Sequence, residues 1–452
     1  MKQTNILLII IFSALSFSQE PYMFPDDVLP PQVESFPERP PMIFEIGDKF
    51  FSNGDIHYGI NPWSGTYWQP GLWGFGNYRI AHQYLTSESA DSPSLNNVVN
   101  RFDFFLNLKL SGTERFFAAF RPLDKGGMTG VDLTLDESEF VHNFEEKGEG
   151  ELFKQWFFPA TWFFEGDIAE LFQFLDYEDR LPRDVGFTIG RQPVFFQEGI
   201  VLNDILETFG VSFNGLHLPY ASNFKVSLMA GKNHIDRDGT DETIYGMFSE
   251  ADFYKNMVNV DIAYVQENMG NKTDGLVIGG SNVQQFGFWN TALRFGYSKA
   301  LGDSSDIGDG MFFMGEFSRK HYPYKNIIYV NTYYKHEAFT PAGGKGAFGR
   351  TGILFAPSGM TGHTPPMGAP LAPSEFGISS GYQLFMDGGR QSIISEISFR
   401  QAINEDSNKL GLGFKFMKAF GQRYVLNIDG YFIQPNEGDY NYGARTEFLV
   451  KL

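Results

Sequence analysis

Eleven basic side chains fall on the polar side of runs that alternate with a two-residue period: Arg101, Lys109, Arg115, Arg121, Lys225, Arg294, Arg400, Lys415, Arg423, Arg445 and Lys451. Six acidic ones share those faces: Asp103, Asp261, Glu316, Glu396, Asp429 and Glu447. Guanidinium and ammonium groups ringing a water-filled passage lower the barrier for anions. The plainer alternative is that they pair across strands and fill a narrow interior. All but Arg423 and Lys451 are candidates for lining such a passage.

Other chemistry is less well supported by spacing. Trp63, Trp68 and Trp73 stand among glycines and prolines in 61–76, with Tyr67 and Phe75. Their faces could stack on sugar rings, although Trp and Tyr also belong to interfacial girdles. The stretch 132–151 holds eight carboxylates, from Asp132 to Glu151, without the spacing of an EF-hand loop, so it reads as a solvated loop before a Ca²⁺ site. Eight histidines are dispersed, with no HExxH and no close pair. No nucleophile is set beside a base, so the pattern argues against an enzyme and calls for no cofactor.

The elements that would carry these residues are strands. In 410–416 the even positions are Leu410, Leu412, Phe414 and Phe416, against Gly411, Gly413 and Lys415. Tyr424, Leu426, Ile428 and Phe432 then oppose Arg423, Asn427 and Asp429. Tyr442 through Leu452 oppose Arg445, Glu447 and Lys451 in the same way. One apolar side on a pleat, in runs of about ten residues, is the signature of a strand that crosses a bilayer at a tilt. A clear early hairpin is 98–121: Phe102, Phe104, Leu106, Leu108 and Leu110 face one way, and Ser111-Gly112-Thr113 makes the turn. Further strands are predicted near 155–166, 185–192, 212–218, 224–231, 257–267, 290–299, 311–319, 326–337, 377–386 and 391–403, with weaker ones at 43–59, 72–88 and 131–141. The expected fold is all-β: a transmembrane antiparallel barrel of about 16–18 strands, 18 favoured.

Residues 1–18 have the form of a secretory signal peptide, with Lys2 before the apolar run Ile6–Phe17 and Ser16-Phe17-Ser18 before Gln19. Residues 19–42 hold seven prolines and read as an extended periplasmic lead-in to a barrel over 43–452. The formal charge of −19 argues against nucleic acid and against docking on anionic lipid by charge. Cysteine is absent, which removes disulfides, thiolate metal sites, covalent c-type haem and a lipid-anchored cysteine. Fifty glycines and 69 Phe and Tyr suit curved strands and aromatic girdles.

Connections near 387–390 and 418–422 are short, while 338–376 is long, rich in Gly and Pro and nearly uncharged. A loop so long and so poor in charge either folds inward and narrows the pore or is an ordinary surface loop, and the sequence leaves both open. Three stretches resemble the alginate-export-type family of porin-like outer-membrane barrels: the strand into Ser111–Phe116, Phe187–Gln192 with Gly199 and Asn203-Asp204, and the hairpin from Ser380 through Gly388-Gly389-Arg390 to Glu396. The resemblance implies a barrel of roughly eighteen strands with a basic, anion-conducting lumen; it implies no particular solute. The phase of Arg191 with Phe187 and Ile189 runs against an inward Arg191, and Leu452 stands where an aromatic is common.

The expectation is a bacterial outer-membrane channel passing small hydrophilic solutes, anionic or saccharide. Its partners would be outer-membrane lipid, the barrel-assembly machinery and the solutes themselves; a homo-oligomer is compatible with the pattern. The alternative is a barrel that sheathes a periplasmic or secreted partner, with the Pro-rich segment as its docking strand. A membrane-embedded hydrolase is the remaining rival.

Overall fold

Strands follow one another with few interruptions in the computed structural model, which describes residues 39–50, 59–61, 67–86, 95–122, 161–172, 184–233, 242–268, 273–302, 307–343, 352–356 and 374–452, with short pieces at 124–125, 129–136, 139–142, 159 and 366–367. The expected signal peptide and nearly all of the Pro-rich segment lie outside these residues.

The strands are β1 (Phe44–Gly47), β2 (Gly71–Leu85), β3 (Leu95–Lys109), β4 (Arg115–Phe120), β5 (Asp124–Lys125), β6 (Thr129–Asp136), β7 (Glu139–His142), β8 (Thr161–Asp167), β9 (Val185–Phe196), β10 (Leu202–Phe213) and β11 (Ala221–Asn233). They continue with β12 (Glu242–Phe253), β13 (Asn256–Glu267), β14 (Gly275–Phe286), β15 (Trp289–Ala300), β16 (Gly310–Lys320), β17 (Ile327–Glu337), β18 (Glu375–Met386), β19 (Gln391–Ala402), β20 (Asn408–Phe420), β21 (Tyr424–Pro435) and β22 (Asn441–Lys451). A one-turn helix, α1 (Ile168–Leu171), follows β8, with Asp167 as its N-cap. No helix among the described residues is long and apolar enough to cross a membrane.

Neighbouring wall strands pair antiparallel, with β4 pairing directly to β8 and the short β5–β7 set to one side, and β2 pairs with β22, so the sheet closes as an 18-strand antiparallel barrel. β3 spans two partners, β4 near one end (Lys109↔Arg115) and β6 near the other (Asn97↔Thr134). One rim carries Leu452 and short turns such as 387–390 and 421–423, with the longer 168–184 connection from β8 to β9; the opposite rim carries the longest connection, 338–374. We call them the turn rim and the loop rim.

Closure has one irregularity. β22 pairs with β2 only from Asn77 to Leu85, and the Leu452 backbone exchanges both hydrogen bonds with Gly76. Below that point β1 takes over the same edge of β2, with Phe44↔Gly74 through Gly47↔Gly71.

The period-two pattern sets burial. In β12, Glu242, Ile244, Gly246 and Phe248 are buried, while Tyr245 and Met247 are exposed. Outward residues are the large apolar ones, including Ile80, Phe209, Leu293, Ile397, Leu410 and Phe432. Lipid, rather than protein, accounts for their exposure. Three departures from the sequence reading share one cause. The strand expected at 212–218 is instead β10, Leu202–Phe213, and β12 and β14 had no counterpart. Their inward faces are largely apolar or glycine (Leu202, Leu206, Ile244, Phe248, Val277, Gly279), which erases the apolar/polar contrast.

Candidate functional site

Register places seven of the nine lining candidates in ion pairs inside the barrel. Arg101 and Arg121 share Asp103 at 2.9 and 3.1 Å. Lys109 meets Asp48 at 2.8 Å, and Arg115 meets Glu165 at 2.5 Å, its cross-strand neighbour. Arg294 lies 3.0 Å from Glu316 and 3.9 Å from Glu198. Arg400 binds Glu375 at 2.6 Å and donates to the Met367 carbonyl at 2.6 Å. Arg445 binds Asp429 at 2.7 Å and Glu447 at 3.4 Å, and Arg79 adds a second cation on Glu447 at 2.7 Å. Lys225 and Lys415 have no carboxylate within ion-pair distance among the described residues; Lys225 stands opposite Glu250 in register.

The expected excess of base over acid on this face is therefore corrected. Asp48, Glu165, Glu198, Glu250 and Glu375 also face inward, on segments whose parity the sequence left open. A wall of matched pairs presents local dipoles rather than a net positive field. Both unpaired halves would be costly: Glu375 is fully buried, and removing the partner of a buried charge costs about 3–5 kcal/mol.

Two inward segments narrow the lumen on the loop-rim side. The first is 197–201, the connection from β9 to β10, whose Ile200 and Val201 are fully buried. The second is the described part of the long connection from β17 to β18, 338–343, 352–356 and 366–367, of which Phe339, Ala342, Leu354, Phe355 and Met367 are buried. The two meet: Ala342 N donates to Val201 O at 2.8 Å, and Asn203 N donates to Gly343 O at 3.2 Å.

Glu396, on the inward face of β19, fastens the long loop. Its carboxylate accepts from Ile353 N and Leu354 N, both at 2.9 Å, from the Tyr329 hydroxyl at 2.5 Å and from the Ser398 hydroxyl at 3.2 Å. Gly352 has φ +71°, and a Cβ there would sit 2.0 Å from a Glu396 carboxylate oxygen, so only glycine lets the loop come this close. The wall opposite is pared down to match. A Cβ on Gly411 would meet Met367 Sδ at 2.8 Å and Leu354 Cδ1 at 2.9 Å; one on Gly296 would meet Ile200 at 2.7 Å. The loop thus seals two apolar clusters, one around Leu202, Ile244 and Val277 and one around Ile200, Phe312 and Leu354. Burying Leu354 contributes about 2 kcal/mol to holding it there.

Between this apolar seal and the turn rim lies a chamber of about 960 Å³ along β8–β13. Its walls carry Thr188, Gln192, Ser212, Ser227, Ser249 and Asn259, with Lys225 as a cation and Glu165, Asp167, Glu170, Asp184, Glu250 and Asp261 as acids. Phe196 and Phe248, stacked with centroids 3.4 Å apart, close it toward the seal. Alongside, Phe75, Phe105, Phe117 and Phe163 form a run of ring contacts at 5.3, 6.0 and 5.3 Å on the inward faces of β2, β3, β4 and β8. The Arg115 guanidinium lies 5.7 Å from the Phe163 centroid. This run was not foreseen, although Phe105 and Phe117 share parity with Arg101 and Arg115; inward phenylalanines break the expected polar face.

The remaining candidates are dispersed. Trp73 is corrected from an exposed platform to a buried residue: it is 7% exposed, donates to Asp48 O at 2.7 Å and packs edge-on against Phe50. Trp68 sits in a single bridge with Ile60, and Trp63 lies outside the described residues. The side chains of 132–151 lie outside them as well. Arg191 pairs in register with Trp162 and Glu207 on the outer face, as its phase suggested. Its neighbour Gly190, at φ +138°, is where a Cβ would fall 2.3 Å from the Trp162 carbonyl. No group of three metal-ligating side chains occurs among the described residues.

An 18-strand closed sheet with an apolar outer belt, a charged and aromatic lumen and an inward loop defines the class by its fold: a bacterial outer-membrane β-barrel with porin-like architecture. Comparison with solved structures agrees on the fold. A BenF-like porin from Pseudomonas fluorescens Pf-5 superposes with a TM-score of 0.54 at 11% identity, over 84% of this chain and 98% of that one. OccK2 (OpdF) of Pseudomonas aeruginosa gives 0.53 at 10% identity over 84% and 97%. OccAB2 of Acinetobacter baumannii gives 0.50 at 11% identity over 84% and 98%. No family model and no curated protein matches the sequence, and the alginate-export-type resemblance rests on its three short stretches alone.

Proposed function

We propose that this protein is a passive outer-membrane channel for small hydrophilic solutes, and that uncharged, saccharide-like solutes suit it better than anions. The observation that carries the second part is the pairing of seven of the nine inward cations with carboxylates. Paired charges offer donors and acceptors to hydroxyl groups and cancel the positive field that would draw anions, while the six acids of the chamber against Lys225 repel them. The phenylalanine run beside Arg115 supplies apolar faces of the kind that pack on sugar rings. Size selection falls to the constriction made by 197–201 and 338–374. With the C-terminal residues on the periplasmic side, the chamber opens to the periplasm and the constriction lies toward the exterior.

The test is conductance of the refolded protein in a planar bilayer under a salt gradient, with liposome swelling in mono- and disaccharides. Open-channel steps, a reversal potential that is near zero or leans toward cations, and swelling that falls with solute size are expected. A strongly anion-leaning reversal potential with no sugar permeation would sink the saccharide reading and restore the anion channel.

A second reading, a barrel acting as scaffold or sheath for a periplasmic or secreted partner, draws on the apolar clusters that fill the loop half of the lumen. A folded, heat-modifiable barrel that inserts and never conducts favours it.

A further inference from the structure

Asp261 departs from the pairing that holds most of the lumen's charges. It stands on β13 directly opposite Phe248 of β12, at the inner end of the chamber, and is 2% exposed. One carboxylate oxygen accepts from Ser249 N at 3.1 Å. No cation lies within ion-pair distance of it among the described residues, and the charge that bears on it is a second carboxylate, Glu250.

Gln197 lies beside it. That residue is 8% exposed, and neither its amide nitrogen nor its amide oxygen has a hydrogen-bond partner. Gly279, which pairs with Asp261 in register on β14, makes the room: a Cβ there would fall 3.2 Å from Gln197 Cγ. Gln197 also takes φ +53°, a left-handed conformation that a non-glycine residue keeps only where its surroundings hold it.

Buried polar groups are paired in native proteins, and a buried carboxylate without a counter-charge is the costliest exception. Three orphan groups meet at the wall of the chamber: a carboxylate, an amide oxygen that accepts and an amide nitrogen that donates. A primary ammonium answers the first two, being a compact charge with three donors. A hydroxyl next to it accepts from the amide nitrogen. Ser212, Ser227 and Asn259 line the same chamber and offer partners to further hydroxyls. A divalent metal fits less well, because no group of three ligating side chains forms among the described residues.

We propose, resting on the channel reading above, that the inner end of the chamber is a subsite for a small solute with a primary ammonium beside a hydroxyl, an amino sugar by chemical class. Asp261 supplies its counter-charge and Gln197 its second anchor.

Isothermal titration calorimetry of the folded, detergent-solubilised protein at neutral pH tests this with glucosamine, N-acetylglucosamine and glucose. N-acetylglucosamine keeps the ring and loses the charge, so the comparison on the parent protein needs no variant. Glucosamine is expected to bind about tenfold more tightly than either neutral sugar. Asp261→Asn, in a preparation that keeps its heat-modifiable gel shift, should remove that preference, and Gln197→Ala should weaken glucosamine several-fold. Equal affinity for the three sugars, or no binding of glucosamine, overturns the proposal. So does a preference that Asp261→Asn leaves intact. Ca²⁺ binding that depends on Asp261, without any for glucosamine, assigns the carboxylate to a metal and overturns it as well. Conductance is read separately in the planar bilayer: a barrel that binds glucosamine and never conducts upholds the subsite and ends the channel reading alone.

Discussion

Glu396 concentrates four donors on one carboxylate, two of them backbone amides of the long loop. Hydrogen bonds to a charged acceptor are worth about 1.5–3 kcal/mol each. Glu396→Gln keeps the volume and loses the charge, so the loop's grip on the wall should weaken by about 2–3 kcal/mol. Larger or flickering single-channel conductance is the expected result; an unchanged trace would mean the apolar contacts hold the loop unaided. The unpaired cations set a contrasting case. Lys225→Gln with Lys415→Gln should move the reversal potential toward cations without loss of folding, since neither holds a carboxylate partner. Arg115→Ser with Arg121→Ser should move it the same way, because Glu165 loses its cation. Equal reversal potentials in both double variants and the parent would show that neither set faces the conducting path. Positions such as Arg115 and Arg400 were legible from parity alone. Their partners were less so, because an ion pair across a barrel depends on register, and Glu165 and Glu375 lie at strand ends where the period has barely begun.

At the level of elements, what the sequence made plain were strands with contrasting faces. β3, β15, β17 and β19 to β22 alternate large apolar residues outward with polar ones inward, and their bounds fall close to expectation. β10, β12 and β14 were obscured because their inward residues pack against 197–201 and the long loop instead of water. The signal that could have revealed this was glycine. Gly279, Gly296, Gly411 and Gly413 all stand on inward faces, where a missing Cβ admits another segment of chain. Poverty of charge in the long loop pointed to an inward course as one of two readings, the other being an ordinary surface loop. Gly411→Val tests the fit, since its side chain must displace Met367 or Leu354. Expulsion of the loop would raise conductance and expose 352–355 to protease; wild-type behaviour in both would show that the loop can shift without leaving.

Across the whole molecule, the wall is completed by segments from opposite ends of the chain. β1 supplies the edge that β22 lacks, so Gly71 to Gly74 are paired on both sides. Removing residues 19–47 should leave those amides open on one edge. Their hydrogen exchange should quicken selectively while β2 from Asn77 to Leu85 stays protected by β22; uniform protection would show that β1 adds nothing to closure. The seam has a temporal consequence as well. Asn77 pairs with Lys451, so the first full strand finds its last partner some 370 residues later. Contacts so distant in sequence carry the largest loop-closure entropy and slow a folding reaction. Until β22 is delivered, the growing sheet has two bare edges, each a template for another chain. Ring closure is therefore the late, committing event of assembly, and the interval before it is when this protein most needs an escort.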